Sequence, residues 1–127
     1  MEIYDVRTRA IPGQYITRSV YDKDVVKALR FAVKMYNDMT NCFYLVRPVN
    51  MKEVRSKVVS GVLYDFQSVQ LAGTTCKKKS KKVDVLFCPL RYPVHSSHCD
   101  FAVWSRTWKT ENYKMVKNFR CRTVSTD

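Results

Sequence analysis

Helical periodicity occurs once in this chain, and it comes early. From Asp24 to about Met39, apolar residues recur at Val25, Leu29, Ala32, Val33 and Tyr36. That spacing places them on one face of a helix. Lys23, Lys27, Arg30 and Lys34 fall on the other side. Asp22 or Asp24 can cap its start, and Asn37 to Asn41 reads as the exit loop. The apolar face of such a helix needs a partner, and no second helical period follows.

After the helix the period changes. Phe43 to about Arg55 contains one β-like stretch, in which Pro48 points to an edge position or a bulge. Ser56-Lys57-Val58-Val59-Ser60-Gly61 is a hairpin tip ending in Gly. Gly61 to Ala72, rich in Val, Tyr, Phe and Leu, is a long strand. The segment with Cys88, Pro89 and Pro93 reads as irregular. Cys99, Phe101 and Val103 alternate with Asp100, Ala102 and Trp104, which fits a strand. Tyr113, Met115, Phe119 and Cys121 occupy odd positions of another. Ser105 to Asn112, carrying Trp108, connects the two. The expected class is α+β, an antiparallel sheet with one helix on a face. At 127 residues the chain makes one domain. Residues 1–12 are expected as an irregular N-terminal arm and 13–127 as a single domain.

The five cysteines sit at 42, 76, 88, 99 and 121. So many in a short chain suggest an oxidising compartment. Four of them allow three connectivities, of which local pairing closes the smallest loops. Cys42 is left over, either as a free thiol or as a link between two chains. Every apolar run is interrupted within a few residues, which excludes a transmembrane helix. No charged start followed by an apolar stretch appears, so no secretory leader is expected within these residues. A secreted chain would therefore be numbered here from a point past its cleavage site.

Charge is the next constraint. The formal net charge is +12. Residues up to Cys76 hold 11 basic and 7 acidic side chains, and those beyond hold 12 and 4. The peak is Lys77-Lys78-Lys79-Ser80-Lys81-Lys82, expected as a solvated loop that could attract nucleic acid, heparin-like polymers or anionic membrane surfaces. No aromatic is interleaved with it, so no single-strand stacking platform is read there. His95, His98, Cys99 and Cys88 match no strong zinc spacing. Cys42 has no activating neighbour that would make it a nucleophile. No phosphate-binding glycine loop and no paired-carboxylate motif stands out. The chain is therefore not expected to be an enzyme, or to hold a metal or cofactor.

The order of elements and cysteines resembles the type 2 cystatins, secreted inhibitors of papain-like cysteine proteases. Ala28-Leu29-Arg30-Phe31-Ala32 with Tyr36-Asn37 is similar to the family helix. Gly61-Val62-Leu63-Tyr64 through Gly73-Thr74-Thr75-Cys76-Lys77-Lys78 is similar to its third strand and first cysteine. Cys99-Asp100-Phe101-Ala102-Val103, Trp108 and Cys121 are similar to its last hairpin. The resemblance covers about residues 11–122. It implies a cystatin-like sheet of four to five strands wrapped on one long helix, and the pairs Cys76–Cys88 and Cys99–Cys121.

The resemblance also implies a three-part inhibitory wedge. Gly13 stands at the arm position, fifteen before the helix Ala28. The family's Gln-x-Val-x-Gly hairpin reads here Lys57-Val58-Val59-Ser60-Gly61, with Lys for Gln. Its Pro-Trp dipeptide reads here Thr107-Trp108, with Thr for Pro. The chain thus resembles the divergent cystatin-related proteins with an incomplete wedge. A second family site, against legumain, lies on the loop after the helix, where Asn41 is kept and Cys42 replaces an Asp. The stretch from Gly61 to Cys76 is one residue longer than the family spacing, which suggests a bulge or a shifted hairpin. Two functions follow: a reversible protease inhibitor weakened by its altered wedge, or a non-inhibitory protein of cystatin fold, in a reproductive or defence role, binding an anionic partner or surface.

Overall fold

The computed structural model describes residues 13–79, 84–108 and 111–123, with 107–108 and 111–112 described by backbone alone. The expected arm, 1–12, lies outside the described residues, as do Lys81 and Lys82. The elements in chain order are β1 (Ile16–Thr17), α1 (Lys23–Met39), β2 (Tyr44–Asn50), β3 (Glu53–Val58), β4 (Val62–Lys77), a 3-10 turn at Val85–Phe87, β5 (Ser96–Trp108) and β6 (Glu111–Thr123). The strands form one antiparallel sheet in the order β1-β3-β4-β5-β6. The long β4 organises it. On one side β3 pairs with Val62 to Gln67 and β2 with Gln70 to Lys77; β5 runs along the other side.

The helix buries the face its sequence specifies. Val25, Ala28, Leu29, Ala32 and Val33 are buried in one core with Val54, Tyr64, Phe66, Val69, Leu71, Cys99, Phe101 and Val103. The sheet residues alternate, so one sheet face takes the helix and the other is turned away. Phe101 stacks on Phe66 at 5.1 Å and on Phe119 at 4.7 Å, and Phe119 stacks on Tyr36 at 5.2 Å. Phe66 and Phe101 are the largest of the fully buried side chains, and the half-buried Tyr36 and Phe119 pack against them.

Several boundaries differ from the sequence reading. Asn37 is not in an exit loop but inside α1, and it is buried. Its amide donates to the Val46 carbonyl at 3.1 Å and accepts from the Val46 N–H at 2.9 Å. The side chain thus fastens β2 to the helix end. The stretch Phe43 to Arg55 is two strands, not one, broken at Met51–Lys52. Pro48 offers no N–H to a ladder, and the register shifts between Pro48 and Asn50. β4 runs past Ala72 to Lys77, and the buried Thr74 hydroxyl donates to the Leu45 carbonyl at 2.7 Å. Ser105 to Asn112 is mostly paired strand rather than connection. Among the described residues, the split of β2 from β3 and the two-residue β1 bring the count to six strands instead of four or five.

β4 does contain a bulge. The register shifts between Phe66 and Val69, Ser68 takes φ 53, and its N–H donates to the Asp100 carboxylate at 2.7 Å. Two disulfides join Cys76 to Cys88 and Cys99 to Cys121. Cys88 and Cys99 are therefore committed to different bridges and cannot share a site with His95 and His98. Cys42 is a free, exposed thiol. Among the described residues no helix is long and apolar enough to cross a membrane.

Candidate functional site

Three chain segments meet at one end of the sheet. There β3 ends at Val58, β4 begins at Val62 and β5 reaches Trp108. Ser105 is the partner of Val62. Trp108 therefore lies three residues farther on, roughly 10 Å along the strand. Gly13 joins them, its N–H donating to the Val58 carbonyl at 3.0 Å. The segment that follows Gly13 forms β1, with Ile16 opposite Ser56. Gly13, the β3–β4 turn and the Thr107–Trp108 strand end thus form one edge.

The turn itself is tight. The Val59 N–H donates to the Gly61 carbonyl at 3.0 Å, Ser60 has φ 49 and Gly61 has φ 124. A β-carbon on Gly61 would stand 2.6 Å from the Ser105 carbonyl oxygen and 3.2 Å from Trp104 Nε1. Only glycine allows the two hairpins to approach this closely. Trp104 then closes the joint, because its indole N–H donates to the Val59 carbonyl at 3.1 Å. Sequence reading gave Trp104 only a place in a strand. The available signal was chemical: a partly buried indole N–H seeks an acceptor, and a neighbouring hairpin turn offers carbonyls.

Lys57 does not sit at the tip. It lies within β3 opposite Leu63, and its ammonium stands 4.6 Å from the centre of the Tyr15 ring. Arg55 approaches the same ring at 4.2 Å. Tyr15 follows Gly13 by two positions, so the cation of β3 is held against the segment that leads into β1. Val58, next to Lys57, is exposed.

A buried polar hub supports this edge from below. The Arg18 side chain is 3% exposed and binds Asp24 at 2.7 Å. It also donates to Asp22 at 3.2 Å and to the Ser56 hydroxyl at 3.0 Å. The Tyr64 hydroxyl donates to the Asp24 carboxylate at 2.7 Å. The hub ties the segment after β1, the start of α1, β3 and β4 together. Asp22 occupies the N-cap position but makes no side-chain cap bond; its carboxylate accepts from Arg18 and from the Ser19 N–H. Burial alone would raise the Asp24 carboxyl, but Tyr64 and Arg18 outweigh it and hold it below its usual value. Burial, then the neighbouring Asp24, push the Tyr64 hydroxyl well up.

The other singled-out residues lie at the far end of β4. Asn41 is exposed just after α1. The Lys78 ammonium donates to the Thr40 carbonyl and, at 3.0 Å, to the Thr40 hydroxyl. A cation there complements the helix C-terminus. Lys77 lies 5.5 Å over the Phe43 ring, and Lys79 is exposed. Two lysines of the basic run are thus already engaged within the fold.

Comparison with known proteins agrees with this architecture. A family model described as a cystatin domain matches residues 13–108. The cystatin of Pseudonaja textilis is 35% identical over 116 residues, spanning 85% of this chain and 82% of that protein. Cystatin-1 of Chilobrachys guangxiensis is 31% identical over 111 residues, spanning 87% and 81%. Among solved structures, dimeric human cystatin F superposes with a TM-score of 0.77 at 24% identity, over 98% of both chains. The salivary cystatin of the soft tick Ornithodoros moubata gives 0.69 at 23% identity, over 88% of this chain and 99% of that one.

Proposed function

This chain belongs to the cystatin family, and on that premise we propose that it is a secreted, reversible inhibitor of papain-like cysteine proteases with a weakened wedge. The family is one of protease inhibitors and not of enzymes. The observation that carries the proposal is the shared edge. Gly13 is hydrogen-bonded to Val58, and the Val59–Gly61 turn is clasped by Trp104 beside the strand that ends in Trp108.

Such an edge inhibits by occlusion. Small and apolar residues enter the cleft, Trp108 supplies an aromatic anchor, and no peptide bond is offered to the catalytic thiolate. Lys57 and Thr107 reduce the fit. A lysine beside the cleft must keep its charge hydrated, at a cost of about 1–3 kcal/mol when imperfectly paired. Thr in place of Pro frees the second hairpin, so more entropy is lost on docking. Two disulfides support the secreted assignment. Asn41 is the candidate contact for legumain, with Cys42 in place of the usual acid. The exposed Cys42 thiol is the candidate link of a dimer.

The test is competition and recovery. Papain incubated with excess protein should lose activity competitively with a peptide substrate. Dilution should restore the activity and return the chain uncleaved by mass spectrometry. Loss that dilution does not reverse, or cleavage within 58–61 or 107–108, would refute occlusion.

A second reading is a non-inhibitory cystatin-fold protein that meets an anionic polymer or membrane surface through Lys77, Lys78, Lys79, Lys81 and Lys82. It is favoured by the exposed Lys77 and Lys79 of the run.

A further inference from the structure

The sheet face turned away from α1 carries an ordered row of cations outside both the wedge and the Lys77–Lys82 run. On β5 the side chains that alternate with the core residues Cys99, Phe101 and Val103 are His98, Asp100, Ala102, Trp104 and Arg106. Their partners on β6 are Arg122, Arg120, Lys117, Met115 and Tyr113. Arg106, Lys117, Arg120 and Arg122 therefore share one face along the last two strands, and β6 is an edge of the sheet. Glu111 stands opposite Trp108 at the strand end, and within the stretch the one acid is Asp100. It lies 3.8 Å from Arg122 and is also bound by the Ser68 N–H.

Two of these cations lie against aromatic rings. The Arg106 guanidinium is 5.1 Å and the Lys117 ammonium 5.5 Å from the centre of the Trp104 ring. Arg106 also lies 5.9 Å from the Tyr113 ring. Aromatic contacts of this kind order long side chains before any ligand arrives, and so reduce the entropy lost on binding. Arg122 is fixed by a 3.1 Å bond to the Ser68 hydroxyl. Neighbouring side chains on one strand face are about 6.7 Å apart. Lys117, Arg120 and Arg122 thus follow one another along the face of β6 across the register shift at Asn118, with Arg106 on β5 farther along the same face at the level of Tyr113.

We propose that the outer face of β5 and β6 binds a linear sulfated polysaccharide, with Arg106, Lys117, Arg120 and Arg122 meeting successive anionic groups. Charge complementarity identifies the partner as a polyanion. The aromatic rings separate the kinds of polyanion. Trp104 and Tyr113 carry cations against them, so they do not offer the open stacking surface that single-stranded nucleic acid uses. The disulfides favour an oxidising compartment, and sulfated glycans are linear polyanions of the extracellular space. The proposal deepens the anionic-partner reading by naming its partner, and it rests on that reading while moving the contact to a different surface.

The experiment measures binding of the full chain to a heparin oligosaccharide across a salt series. Three variants are compared, each with near-ultraviolet circular dichroism as a check of fold. The strip variant is Lys117→Gln/Arg120→Gln/Arg122→Gln. The charge-matched control is Lys23→Gln/Lys27→Gln/Lys34→Gln, on the exposed side of α1. The loop variant replaces Lys77, Lys78, Lys79, Lys81 and Lys82 by Gln. The strip variant should bind at least tenfold more weakly at 0.15 M salt and lower the slope of log Kd against log salt by about 2. The control should lose less than threefold. Equal losses in strip and control would overturn the proposal in favour of net charge alone. Loss only in the loop variant would overturn it and leave the anionic-partner reading standing. Absence of heparin binding by the parent chain would overturn both. A single-stranded oligonucleotide of equal charge should bind several-fold more weakly than heparin; equal or tighter binding would overturn the choice of partner.

Discussion

Two glycines at the candidate edge differ in one physical respect, and that difference yields a quantitative expectation. Both have positive φ, +88° at Gly13 and +124° at Gly61. A β-carbon at Gly13 meets nothing within 4 Å, whereas at Gly61 it meets the Ser105 carbonyl oxygen at 2.6 Å. Gly13→Ala therefore costs only backbone strain, about 1–2 kcal/mol. Gly61→Ala incurs strain of roughly 1–3 kcal/mol and must also push two hairpin backbones apart, a further 1–3 kcal/mol or so. The displaced atom is backbone, so no side-chain rotation relieves it. Urea unfolding of both variants measures the difference, with Gly61→Ala expected to lose about 2–3 kcal/mol more than Gly13→Ala. For a domain of this size that corresponds to a melting temperature lower by roughly 10 °C. Inhibition should fall in both, since both glycines lie at the edge, but only Gly61→Ala should also carry the larger stability loss. Equal losses in the two variants would refute the close approach of the β3–β4 turn to β5.

Trp104→Phe keeps a ring under Arg106 and Lys117 but removes the donor to Val59. It should cost about 1 kcal/mol in urea unfolding and raise the rate of dissociation from a protease several-fold, read by surface plasmon resonance. Asp24 is held below its usual carboxyl value, so its contribution is present above about pH 4 and is lost as pH falls through the lowered value. Urea unfolding at pH 7, 4 and 3 should show the parent losing stability on acidification. Asp24→Asn should be less stable at pH 7 and lose less below pH 4; parallel curves would contradict the role of the hub.

The helix was legible because its packing follows its own local period, and Val25, Leu29, Ala32 and Val33 needed no distant information. Asn37 was misread for the opposite reason. An asparagine near a helix end favours a loop locally, while its two partners belong to Val46, nine positions away. Arg18 was invisible as a hub, since its acceptors at Asp24, Asp22 and Ser56 converge only once β1 lies on β3. The cysteine pairs came from the family order, with three connectivities open on spacing alone. Lys57 was recognised as a departure from the family hairpin. Its direction, toward Tyr15 rather than into the tip, depends on how the segment 13–17 pairs with β3, which no local rule supplies.

The central claim is that the edge formed by Gly13, the Val59–Gly61 turn and Trp108 docks into a papain-like cleft. An inhibition constant for the purified chain against papain and one cathepsin tests it most directly, alongside Lys57→Gln and Trp108→Ala. Weak, reversible inhibition is expected from the parent. Removing the Lys57 charge recovers part of its desolvation cost but forfeits its contact with Tyr15, so Lys57→Gln should tighten binding by about 1 kcal/mol, or roughly fivefold. Trp108→Ala should weaken it by about 2 kcal/mol or more. No inhibition by the parent at high micromolar concentration, with none restored by Lys57→Gln, would contradict the claim.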